Sequence, residues 1–65
     1  MQKSTVIFKS GYFTACAMKD GSLIVTKNKT QEGRRLVGET APDWIDSIKT
    51  ALDAKEANFI CRALF

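Results

Sequence analysis

Few side chains in this sequence can carry out chemistry, and their types narrow the options quickly. The chain has no histidine, the residue that most often serves as a general base near neutral pH. Cys16 and Cys61 therefore lack an imidazole that would activate a thiolate. Two widely separated cysteines without histidine also fail the ligand set and spacing of a zinc site. Both are expected to be reduced and to pack as small hydrophobes. Gly11, Gly21, Gly33 and Gly38 are scattered as turn and strand glycines, and form no phosphate-cradling loop. The acidic residues of the second half fall along a helical stretch, where solvation and an i to i+4 pair of Lys49 with Asp53 account for them. These features predict a protein that is not an enzyme and uses no metal or cofactor.

The cations are patterned. Net charge is +3, but the first 35 residues hold Lys3, Lys9, Lys19, Lys27, Lys29, Arg34 and Arg35 against Asp20 and Glu32, while the remainder is mildly acidic. Lys27, Lys29, Arg34 and Arg35 are expected to meet across two strands at one hairpin end, with Lys9 and Tyr12 beside them. Such a cluster can neutralise phosphates, and an exposed tyrosine can stack on an unpaired base. One tyrosine alone does not make a stacking platform. A solvated loop end, a guard on an edge strand and a contact for an acidic protein fit the same cations.

The elements that position these residues follow from periodicity and turn chemistry. "STVIFK", residues 4 to 9, is a β-branched and aromatic strand, followed by Ser10-Gly11 as a two-residue turn. Asp20-Gly21 is the strongest hairpin signal in the chain. As a two-residue loop it sets Met18 opposite Leu23, Ala17 opposite Ile24 and Cys16 opposite Val25. A polar loop, Thr30 to Gly33, with Gly33 as its left-handed residue, leads to a short fourth strand from Arg34 to Glu39. "ETAPDWIDSIKTALDAK" then starts a helix from about Pro42 to Ala54, with Thr40 as cap and an apolar face of Ala41, Trp44, Ile45, Ile48, Ala51 and Leu52. The tail, residues 55 to 65, reads as continued or second helix ahead of a final strand. A continuous helix of this length would carry Phe59, Ile60, Leu64 and Phe65 past the end of the sheet unless the chain bends or a partner covers them.

The expected fold is α+β: an antiparallel meander of three or four strands, then an amphipathic helix on one sheet face, with a helical tail. All 65 residues form one small domain near the lower size limit for a self-sufficient core. No apolar run reaches the roughly 20 residues of a membrane span, and Val6, Ile7 and Phe8 are too short a run for a signal peptide, so a soluble cytoplasmic protein is expected.

In the expected register one face carries Val6, Phe8, Phe13, Ala15, Ala17 and Ile24 and takes the helix. The other carries Lys9, Ile7, Tyr12, Thr14, Cys16, Met18, Leu23, Val25 and Lys27, joined by Leu36, and is left to the C-terminal tail, a second copy or a partner protein to cover. An apolar patch of that size marks an interface. The resulting expectation is a protein-interaction module, a small regulator or inhibitor docking on a larger protein, of the size common among phage or mobile-element accessory proteins. Ile7, Tyr12, Met18, Leu23 and Val25 would be its apolar contacts, and Lys27, Lys29, Arg34 and Arg35 would steer the encounter. A nucleic-acid-binding module using the basic hairpin is the alternative, and an obligate homodimer is a second alternative.

Overall fold

The computed structural model describes residues 4–65, so Lys3 lies outside the described residues. Strands β1 (Ser4–Lys9), β2 (Phe13–Met18), β3 (Leu23–Lys27) and β4 (Gly33–Leu36) form one antiparallel sheet in the order β1-β2-β3-β4. A turn of 3-10 helix, Gly38–Thr40, leads into α1 (Ala41–Lys49), and α2 (Ala54–Ala63) follows after a short break. The sheet-then-helix architecture is the one the sequence predicts. No helix among the described residues is long and apolar enough to cross a membrane.

The register differs from expectation at both hairpins. Met18 N–H donates to Ser22 O at 2.8 Å, and Gly21 N–H donates to Met18 O at 3.0 Å. The β2–β3 loop is therefore three residues, Lys19 to Gly21, closed by Gly21 in the left-handed region at φ 91°. Asp20 ties this turn together. Its carboxylate accepts from Ser22 Oγ (2.6 Å) and Ser22 N–H (2.9 Å), and from Arg35 Nη2 (2.9 Å). The Ser22 side chain first, then the Ser22 backbone and the Arg35 guanidinium, hold the Asp20 carboxyl below its ordinary value.

One extra loop residue moves Leu23 opposite Ala17 and Val25 opposite Ala15. A one-residue slip exchanges the faces of a strand. Leu23 and Val25 are thus core residues, both 0% exposed, and not surface contacts. Ile24, expected in the core, is half-buried on the opposite face. Leu36 sits opposite Leu23 and packs on the core as well.

In the first hairpin Ser10 N–H donates to Phe13 O (2.9 Å), making Gly11 and Tyr12 the loop in place of Ser10-Gly11. A bulge between Val6 and Phe8 then reverses the alternation of β1. Ile7 and Phe8 both pack on the core cluster, while Val6 is 55% exposed on the open face. The sheet thus has core rows Phe8–Ala15–Val25–Arg34 and Thr5–Ala17–Leu23–Leu36. Its open face has rows Val6–Cys16–Ile24–Arg35 and Lys9–Thr14–Thr26–Gly33.

Both helices lie on the core face. Ile48 of α1 and Cys61 of α2 join Phe13, Ala15, Leu23, Val25 and Leu64 in one cluster. Fully buried Ala15 and Ala41, with nearly buried Ala57, keep side chains small where helices approach the sheet and each other. The first helix ends five residues before the expected Ala54, and Leu52 is 90% exposed in the break. Asp53 causes the restart: its side chain accepts from Glu56 N–H at 2.8 Å as the N-cap of α2. It forms no ion pair with Lys49; among the described residues the salt bridges are Lys27–Glu32 and Arg35–Asp20. Thr40 occupies the N-cap of α1 without a side-chain cap bond. The fourth strand stops at Leu36, short of the expected Glu39, and Gln31 (φ 60°), not Gly33, takes the left-handed position of its loop.

The register has a direct energetic consequence. Leu23→Ala should cost about 3 kcal/mol by leaving a cavity, whereas Ile24→Ala should cost about 1 kcal/mol or less. Urea denaturation of the two variants measures this, and equal or reversed costs would return the sheet to the two-residue loop.

Candidate functional site: an aromatic and cationic groove

The expected site residues separate into three places. Leu23 and Val25 are in the core, and Ile7 packs against it. Met18 is half-buried at one end of the open sheet face, where Cys16 and Ile24 lie. The basic cluster divides. Arg35 points to the open face and bonds Asp20 in the β2–β3 turn, at the far end of β3 from Lys27. Arg34 is exposed on the edge strand, opposite Val25 on the helix side. Lys27, Lys29 and Tyr12 remain together, lining a groove of about 1250 Å³ between the β1–β2 turn, the β3–β4 loop and α2.

A polar network builds this groove. Ser10 Oγ accepts from the N–H groups of Tyr12 and Phe13 (3.1 Å each) and donates to Asn58 Oδ1 of α2 (2.7 Å). Asn28 Nδ2 donates to Ser10 O (2.6 Å), Thr14 Oγ1 donates to Asn28 Oδ1 (2.8 Å), and Asn28 N–H donates to Tyr12 O (2.9 Å). Tyr12 is thereby held through its own backbone on both sides. The same bonds lock α2 to the hairpin end.

Helix α2 supplies what the sequence reading missed. Lys55, Phe59 and Arg62 recur at i, i+4 and i+7, which puts a cation, an aromatic ring and a cation in one stripe. All three line the groove, and Phe59 is 74% exposed. Phe65 lines the groove as well at 40% exposure, its ring 6.0 Å from that of Phe13. Lys27 Nζ stands 5.0 Å from the Phe65 centroid and 3.7 Å from a Glu32 oxygen, a cation already engaged on two sides. Among the described residues Lys29, Lys55 and Arg62 make no ion pair. Asp53 and Glu56 line the groove too, so four cations face two carboxylates there. The i, i+4, i+7 spacing is legible in the sequence once the helix is known to continue through Ala63.

The opposite side of the molecule is plainer. The open face carries the row Val6–Cys16–Ile24, and neither helix covers it. Comparison with protein-family models, curated proteins and solved structures finds no match to this chain.

The two cysteines report on the two sides. Cys61 is 0% exposed, and burial pushes its thiol up to about 11, while Cys16 is half-buried on the uncovered face. At pH 8 an aromatic disulfide reagent should titrate one thiol per native chain and two in denaturant. Two fast native thiols would contradict the packing of α2.

Proposed function

We propose that this protein is a non-enzymatic nucleic-acid-binding module that uses the groove between α2 and the first hairpin. The observation that carries the reading is the convergence of three exposed rings, Tyr12, Phe59 and Phe65, with three cations that form no ion pair among the described residues, Lys29, Lys55 and Arg62. A surface phenylalanine exposed as far as Phe59 contributes little to the fold, whereas rings interleaved with cations suit a ligand with phosphates and flat apolar faces. The same geometry weakens the reading based on an apolar sheet face, because Leu23, Val25 and Ile7 have left that face for the core.

A protein docked on the open sheet face is the second reading, favoured by the uncovered row Val6–Cys16–Ile24. It places its contacts on the side opposite the groove. A regulator or inhibitor, or a second copy of the chain, would fall under this reading.

Fluorescence anisotropy with a labelled 12-nucleotide oligonucleotide tests the first reading. Micromolar binding is expected at low salt, with log K falling against log salt at a slope near −2, about 0.7 for each of three neutralised phosphates. Arg62→Glu or Lys29→Glu should weaken binding about tenfold and flatten the slope. A poly-glutamate peptide binding as tightly as the oligonucleotide would reassign the groove to an acidic protein. Absence of oligonucleotide binding, with an associated protein retained in high salt and lost on Ile24→Asp, would favour the sheet face.

A further inference from the structure

We propose that the groove selects single-stranded nucleic acid over duplex, holding bases on Tyr12 and Phe59 and phosphates against Lys29, Lys55 and Arg62. This inference rests on the nucleic-acid reading and specifies its ligand.

The rings divide by how much of each is free. Phe65 is packed near Phe13 and beneath the Lys27 ammonium, so it serves as a wall. Tyr12 and Phe59 are 64% and 74% exposed, so both residues are largely open to a ligand. Base stacking on such a ring needs a base outside a paired helix. In a duplex the base faces are already stacked, and proteins reach only phosphates and groove edges. Phosphate contacts alone have no use for exposed rings.

The α2 stripe argues the same way. A helix that reads the major groove presents polar side chains to base edges. Here the middle of the stripe is Phe59, flanked by Lys55 and Arg62. Over seven residues the two cations are separated by about 10 Å along the helix axis. That distance matches about three stacked nucleotides at roughly 3.4 Å per strand step. A phosphate at each end would bracket bases laid on the ring between them.

The remaining charges limit the path of the strand. Lys27 is engaged by Glu32 and Phe65, so its contribution to binding is smaller than that of Lys29. Asp53 already accepts from the N–H of Glu56 at the start of α2, and both carboxylates repel phosphate. The phosphate at this end of α2 is therefore held by Lys55 between the two carboxylates, with uncharged bases facing the carboxylates themselves. A stacked single strand can present its bases and its phosphates to different walls in this way.

The test compares a labelled 12-nucleotide thymidine oligomer with a 12-base-pair duplex in 50 mM salt. The single strand should bind at least tenfold tighter. Phe59→Ala and Tyr12→Ala should each weaken single-strand binding about tenfold and leave duplex binding unchanged, while Tyr12→Phe retains affinity because the ring and not the hydroxyl is used. Both positions are exposed, and circular dichroism should report an unaltered fold. Duplex binding as tight as single-strand binding would overturn the inference while leaving the nucleic-acid reading in place. So would loss with Arg62→Glu but none with Phe59→Ala or Tyr12→Ala. Failure of both oligonucleotides to bind would remove the proposed function and this inference together.

Discussion

The arrangement of the whole molecule depends on the left-handed residue Gly21. At φ 91° it closes a three-residue loop, and that loop sets the β2–β3 register. Side chains alternate along a strand, so the turn decides which set of residues the helices cover. With Leu23 and Val25 inward, Phe13, Ala15, Ile48, Cys61 and Leu64 close one cluster around them. With the register shifted by one, Ile24 would face the helices in their place. Glycine adopts this conformation at little cost, whereas a β-carbon there is strained. Asp20 reinforces the choice by bonding Ser22 and Arg35, joining the turn to the edge strand β4.

Strand positions, the hairpin at Asp20-Gly21, the first helix and the helical tail are all legible in the sequence. Face assignment is not, and the reason is local. Residues Ala15 to Met18 and Leu23 to Val25 are apolar on successive positions, so alternation does not distinguish two-residue from three-residue closure. Asp-Gly is compatible with both. The bulge at Ile7 has no signature in its β-branched and aromatic surroundings, yet it sends Val6 outward and Ile7 inward. The break before α2 was readable in principle. "DAKE", residues 53 to 56, has the spacing of a capping motif, but the same aspartate also fits an i to i+4 partner for Lys49.

The groove was less legible because its parts come from opposite ends of the chain. Tyr12 and Phe59 become neighbours in one site only through tertiary structure. Ser10 Oγ joins the two segments by its bond to Asn58, and Asn28 joins the first turn to the end of β3. None of these polar residues belongs to a motif. Their effect is to trade solvent contacts for internal hydrogen bonds, each worth about 1 kcal/mol net, at the one end of the sheet where α2 crosses. That placement makes the site rigid at the backbone of Tyr12 while leaving its ring free.

A chain of 65 residues can bury only part of its apolar surface, so an exposed ring carries information when a nearby alternative existed. Helix α2 had such an alternative. Cys61 and Leu64 turn inward and are buried, while Phe59, on the same helix, stays 74% exposed beside Lys55 and Arg62. A helix selected for stability alone would gain nothing from a phenylalanine at that position, where lysine or glutamate would form the helix equally well or better. Phe59 thus stays on the solvent side although Ala57, Ile60, Cys61 and Leu64 supply the apolar side that packs on the core. The proposed ligand, with its own flat apolar surface and negative charge, would give that exposed ring and its flanking cations a physical purpose.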